Sequence, residues 1–136
     1  IDFSPAMISL ADAKADAGAS AGTAGHRPVF HVMNAAEPSF AAASFDVLLC
    51  RHLLWALPAP AQVLKRWATL LKPGGRLLLI EGRWHTGSGL HANEITAMLP
   101  AALVMAGGQD LTVNPTLWGK MVGDERYILV AAATHS

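Results

Sequence analysis

A chain of 136 residues is long enough for one domain with a buried core and too short for two. Ten basic and ten acidic side chains cancel. With no run of Lys or Arg, that balance excludes the electrostatic footprint of a nucleic-acid binder or of a polybasic membrane anchor.

Hydrophobic residues make up 52% of the chain, much of it alanine. Yet no stretch reaches the roughly 18 apolar residues of a membrane span. The longest, Met98 to Gly108, is interrupted by Pro100. The implied partner is a small molecule or another protein, with no nucleic acid and no membrane. The single cysteine, Cys50, has no partner for an internal disulfide, which fits a reducing cytoplasm. The opening Ile1-Asp2-Phe3-Ser4-Pro5 has no cationic or transit-peptide character and reads as the interior of a longer sequence.

Ser4-Pro5 opens the first predicted helix, Ala6 to Ala17, with a cap and a first-turn proline. Met7, Leu10 and Ala11 form its thin apolar stripe. Gly18 to Gly25 reads as a loop and Val29 to Val32 as a short strand. Phe45 to Cys50 is a near-continuous apolar run, as in a strand buried on both faces.

A second helix follows from Ala61 to Leu71, with Val63, Leu64, Trp67, Leu70 and Leu71 on one face. Lys72-Pro73-Gly74-Gly75 ends it, the lysine placed to complement the helix dipole. Arg76 to Glu81 is the next buried strand, and Gly82 to Gly89 a loop. The pattern then predicts a helix over Ala92 to Ala106, bent at Pro100, and strands at Asp110 to Asn114 and Arg126 to Ala132. This order predicts an α/β fold: a mostly parallel sheet, helices on both faces, and an antiparallel C-terminal strand. Ligands in such sheets gather at the carboxyl ends of the strands.

Four blocks in order along the chain resemble class I S-adenosylmethionine-dependent methyltransferases of the small-molecule type. They are Ile1-Asp2-Phe3-Ser4-Pro5-Ala6-Met7, Val32-Met33-Asn34-Ala35-Ala36-Glu37-Pro38, Ser44 through His52, and Leu71-Lys72-Pro73-Gly74-Gly75-Arg76-Leu77. Each block is weak alone; their order and spacing together are specific. The resemblance implies a Rossmann-like sheet, S-adenosylmethionine as cofactor, and residues 1–136 as a single partial methyltransferase domain.

It also implies roles. Asp2 takes the ribose hydroxyls, Phe3 and Met7 pack on adenine, and Asn34 and Ala35 contact adenine's edge. Cys50 and Arg51 border the methionine part, and His52 faces the acceptor. Two departures stand out. The family's first strand, its glycine-rich turn and the helix after it are absent, and no other glycine pair here follows a strand and opens a helix. Asn34 replaces the usual Asp, keeping an acceptor oxygen without its charge. The chain by itself is therefore expected to be inactive, with unpaired strand edges where the absent strand belongs.

Plainer readings stand beside these. Asp2 also suits a cap on the helix at Pro5. Met7 also suits core. Cys50 reads as a small buried residue rather than a nucleophile, Arg51 as a solvated cation and His52 as a satisfied histidine. Trp55, Trp67 and Trp118 read as packing. Trp84 and His85 differ, because they sit in a glycine-flanked loop after a buried strand, where function concentrates; both are assigned to acceptor binding. His85 or His91 suits a base toward a hydroxyl or amine, whereas His26, His31 and His135 lack such context. The histidines and the cysteine show no metal-ligand spacing.

Methyl transfer from an activated sulfonium asks chiefly for alignment, so no catalytic residue is named. Two rivals remain. One is a nicotinamide-dependent oxidoreductase, with Asp2 as the acidic residue after the missing turn. The other is a degenerate domain used for protein contact, anchored by Trp84, Trp118 and Met121.

Overall fold

The computed structural model describes residues 1–19, 27–112, 114, 116 and 123–134. They fall into two compact units, Ile1–Ser39 and Phe40–Ser136. The loop read at Gly18–Gly25 lies largely outside the described residues. His26, Trp118, Met121 and His135 lie outside them entirely.

The first unit is built on helix α1, Pro5–Ala19. Ser4 Oγ accepts the Met7 N–H at 3.4 Å, and Pro5 takes the first helical position as expected. The strand expected at Val29–Val32 is reduced to one parallel bridge between Asp2 and Val32. Asp2 N–H donates to the His31 carbonyl at 3.2 Å, and Met33 N–H to the Asp2 carbonyl at 2.8 Å. Both partners run out at once, because one chain enters α1 and the other turns at Asn34. Arg27 closes on Asp12 and Asp16 of α1 at 3.1 and 2.9 Å, an exposed cluster of small energetic weight.

The second unit carries the sheet. In chain order it contains β1 (Phe45–Arg51), a single helical turn at Leu54–Ala56, α2 (Pro60–Leu70) and β2 (Leu71–Arg83). Then come α3 (Ala92–Met98), β3 (Leu103–Asp110) and β4 (Glu125–Ala133). The strand order is β1-β2-β4-β3. β1 and β2 pair in parallel, and β4 is antiparallel to both β2 and β3. Three strands therefore share one direction and the C-terminal strand alone opposes them, as expected.

Helix α2 buries Val63, Leu64, Trp67, Ala68 and Leu70, the stripe its periodicity predicts. It ends one residue early. Leu71 already belongs to β2, and Lys72 closes on Asp46 of β1 at 2.8 Å instead of meeting the helix end. The Lys72–Gly75 turn survives as an irregularity at the start of β2, where the register slips between Phe45↔Leu71 and Val47↔Arg76. Gly74 adopts φ 75°, and a Cβ on Gly75 would meet the Lys72 carbonyl oxygen at 2.9 Å, so both glycines are required.

The helix expected to reach Ala106 stops at Met98. Leu99 precedes Pro100 and is extended (φ −60°, ψ 130°), the conformation a following proline imposes. Leu103-Val104-Met105, read as helical, opens β3, and Asp110 of the expected Asp110–Asn114 strand closes it. Leu77, Leu79 and Glu81 of β2 and Tyr127, Leu129 and Ala131 of β4 form the buried face of the sheet. The opposite face, with Val47 and Leu49, stays more than half exposed on β1.

Candidate functional site

In the first unit the adenosine candidates sit in tight local geometry. Asp2 Oδ1 accepts the Ser4 N–H at 2.8 Å, so one carboxylate oxygen serves the plainer role of holding the entry to α1. Asn34 Oδ1 accepts the Ala36 N–H at 2.9 Å, and the Glu37 N–H closes on the Asn34 carbonyl at 3.1 Å. The amide oxygen expected to meet adenine is thus engaged in a turn, leaving the NH2 to face a ligand. Phe3 is 78% exposed and Met7 more than half exposed, so Met7 is not core. Ala35 follows Asn34 in the same turn.

In the second unit, the ends of β1 and β2 carry a denser arrangement. Cys50 is buried, and burial, with the nearby Glu81 charge, pushes its thiol up to about 12. It is an inert packing residue, as expected. Arg51 is exposed at the end of β1.

His52 then takes φ 52°, a left-handed conformation uncommon for residues other than glycine. Its N–H donates to the Ile80 carbonyl at 2.9 Å. The next two amides, of Leu53 and Leu54, both donate to Glu81 Oε1, at 3.0 and 2.9 Å. The Cys50 thiol lies 3.7 Å from the same oxygen. Glu81 is 1% exposed, and its Oε2 bonds to no described residue. Burial is the main cause holding its carboxyl above the ordinary range.

The Gly82–Gly89 segment, read as a loop, is closed into a hairpin. Trp84 N–H donates to the Ser88 carbonyl and Gly87 N–H to that of Trp84, both at 2.9 Å. Arg83 bridges Gly89, and the Tyr127 hydroxyl donates to the Leu90 carbonyl at 2.6 Å. This closure sets Trp84 against His52, with ring centroids 5.2 Å apart, and Trp55 against Trp84 at 6.2 Å. Trp55, read as packing, is thus part of the site.

His85 points elsewhere. Its Nδ1 lies 3.1 Å from Asp124 Oδ1, which also accepts its backbone N–H at 2.8 Å, and the ring is 82% exposed. That backbone hydrogen bond is the first cause holding the Asp124 carboxyl below its usual range. His91 pairs in the same way with Glu125, whose other oxygen accepts the Ala92 N–H at 3.1 Å. Both histidines therefore tie loops to the start of β4. Glu81 and Trp55 were the residues sequence reasoning under-used. The available signal was an acidic residue closing the run Leu77-Leu78-Leu79-Ile80.

Residues 1–79 match the model of the family described as methyltransferase domain. The chain belongs to that family. A highly reducing polyketide synthase, Preu5 of Preussia isomera, is 37% identical over 52 residues, 38% of this chain and 2% of that protein. A SAM-dependent methyltransferase of Methanosarcina mazei superposes with a TM-score of 0.78 at 21% identity, covering 100% of this chain and 81% of that one. The cyclase SpnF superposes with a TM-score of 0.77 at 18% identity, covering 98% of this chain and 65% of that one. The chain thus spans about two thirds of the cyclase and a small part of the synthase. The structural likenesses establish a shared fold, and SpnF shows that this fold hosts more than one chemistry.

Proposed function

We propose that the protein containing this chain transfers a methyl group from S-adenosylmethionine to a small-molecule acceptor. The observation that carries the reading is the family match over residues 1–79, which contains the Asp2, Asn34 and Cys50 blocks. That span crosses the boundary between the two units, which supports reading residues 1–136 as one partial methyltransferase domain.

The donor set of the first unit suits a nucleoside. Asp2 Oδ1 is held by Ser4, leaving Oδ2 for ribose hydroxyls, and the Asn34 NH2 is a donor suited to a ring nitrogen of adenine. Phe3 and Met7 offer apolar surface beside them, and Ala35 the backbone of the turn. When bound, the cofactor supplies an activated methyl on sulfonium. The chain's task is to hold the acceptor in line and keep water out, which is proximity catalysis. In the second unit His52 and Trp84 are the acceptor-binding candidates, with Trp55 beside them. His85 belongs to the loop that presents Trp84.

The residues directly before α1, α2 and α3 are Ser4, Ala59 and His91, and the start of α3 is already closed by the His91 and Glu125 side chains. The described residues therefore offer no cradle of backbone N–H groups for the cofactor's charged end. Accordingly we propose that the 136-residue chain by itself binds the cofactor weakly and does not turn over.

Calorimetry with S-adenosylhomocysteine and NADH tests the reading. The intact protein is expected to bind the first and not the second, and Asp2→Ala to weaken binding about 10- to 100-fold, the loss from unpairing buried hydroxyls. Preference for NADH, or an unchanged affinity in Asp2→Ala, overturns the assignment. Tight binding by the isolated 136-residue monomer would show that the site needs no such turn.

A further inference from the structure

His52, Trp84 and Trp55 form a row of rings at the carboxyl ends of β1 and β2 that the core does not require. Trp55 is 39% exposed on the helical turn after β1, and Trp84 is half-buried in the hairpin after β2. His52 meets Trp84 nearly edge-on, with planes 65° apart, and Trp84 meets Trp55 at 55°. Such a row offers flat apolar surface to a flat ligand.

The row has an electrical sense as well. His52 Nδ1 is buried and bonds to no described residue. An unpartnered lone pair is tolerated better than an unpartnered N–H, so Nδ1 is the lone-pair nitrogen and Nε2 carries the proton. Burial first, and then the positive charges of Arg51 and Arg126, hold this imidazole below its usual pKa. The ring is therefore a neutral N–H donor within the field of two guanidiniums, a setting that attracts an anionic oxygen and repels an ammonium.

Its backbone is fixed to the same end. The left-handed conformation of His52 is held in place by the Ile80 carbonyl, and the following amides are held by Glu81. Strain sustained this way collects where a side chain must be aimed.

Resting on the methyltransferase reading above, we propose that His52, Trp55 and Trp84 bind the methyl acceptor, and that this acceptor is a planar conjugated oxyanion. Phenolates and the enolates of 1,3-dicarbonyls share that chemistry. The acceptor loses its acidic proton to solvent and is held flat on one indole and against the edge of the other, with its oxygen on His52 Nε2–H. Its nucleophilic atom then bonds the methyl carbon as the carbon–sulfur bond breaks, and that bond's electron pair stays on sulfur as a neutral thioether. A carbon nucleophile gives a neutral C-methylated carbonyl compound directly, and an oxygen nucleophile gives an ether.

The test is calorimetry on the intact protein with three probes: para-nitrophenol at a pH where it is ionised, acetylacetone, and the flat cation benzyltrimethylammonium. At least one oxyanion is expected to bind about tenfold or more tightly than the cation, as charge complementarity in a partly desolvated site requires. Which one does so separates the phenolate source from the enolate source. Trp84→Ala and His52→Ala are each expected to lose about tenfold, and Trp84→Phe to retain most of the affinity. Arg51→Met, a change at an exposed position, should weaken the oxyanion and, by removing a repelling charge, tighten the cation.

Equal or tighter binding of benzyltrimethylammonium overturns the proposal. So does oxyanion affinity that is unchanged in both Trp84→Ala and Arg51→Met. S-adenosylhomocysteine titrated into the same samples keeps the two readings apart. Its failure to bind defeats the methyltransferase reading, whereas its binding without oxyanion selectivity defeats this proposal alone.

Discussion

A carboxyl buried to 1% exposure at the end of an apolar strand is costly unless its oxygens are used. Glu81 uses one of them twice, on the Leu53 and Leu54 amides, and so fixes the turn that carries His52 and Trp55. Glu81→Ala strands two buried donors and should cost about 2–4 kcal/mol in chemical denaturation. Glu81→Gln keeps an acceptor oxygen for the same amides and should cost far less.

The pH dependence has a definite sign. The folded-state pKa of Glu81 is raised, chiefly by burial, so the folded protein holds this proton more tightly than the unfolded chain does. Its contribution is fully present below the ordinary glutamate pKa and is lost as pH rises through the raised value. Denaturation midpoints of wild type and Glu81→Gln, followed from about pH 4 to pH 7, cover the range in which an ordinary glutamate loses its proton and above it. The wild-type curve should fall with pH relative to the variant; parallel curves would refute the assignment. The sequence shows an acid closing the Leu77–Ile80 run. It could not assign the partners, because Leu53 and Leu54 are 28 and 27 residues away.

Among the elements, the hairpin after β2 shows how a glycine-rich segment becomes rigid. Gly89 stands at φ 95°, and a Cβ there would collide with the Gly82 carbonyl oxygen and with the Trp84 ring. Both the backbone conformation and the space demand glycine. Gly89→Ala should therefore lower stability by about 2 kcal/mol or more, and should shift tryptophan emission by displacing Trp84 from His52. An unchanged melting temperature and spectrum would show that the hairpin does not position Trp84. The glycines are visible in the sequence and mark the segment as a loop. Its closure is not visible, because the Tyr127 hydroxyl and the Asp124 carboxylate that hold it arrive from β4 and the residue before it. The shortened helix α3 is a different case. Pro100 was visible, and its effect on Leu99 is local, so the stop at Met98 was available to sequence reading.

At the scale of the molecule, β1 is an edge strand. Among the described residues it pairs with β2 alone, and Val47 and Leu49, on the sheet face away from the core, are 53% and 58% exposed. A strand of this kind invites pairing with another chain. Leu49→Lys should reduce light scattering by the concentrated 136-residue chain and leave its melting temperature within a few degrees, as a charge on an exposed edge does. If scattering is unaltered, association proceeds through another surface. If the protein unfolds, Leu49 is packed rather than exposed.

The α/β class, helices α1 and α2, strands β1 and β2, and the opposed C-terminal strand were all determined by the sequence. Apolar periodicity, proline and glycine punctuation, and strand-helix alternation act over a few residues and need no partner to be read. The family's cofactor blocks were legible for the same reason, as short runs at strand ends. Tertiary structure alone decided that β4 lies between β2 and β3, that Asp2 and Asn34 spend an oxygen each on local turns, and that Lys72 meets Asp46 rather than a helix end. It also decided that His52, Trp84 and Trp55 share one place while His85 turns to Asp124. Each of these outcomes depends on which groups compete for a hydrogen bond or a packing surface across long stretches of chain, and that competition is settled only when the strands align.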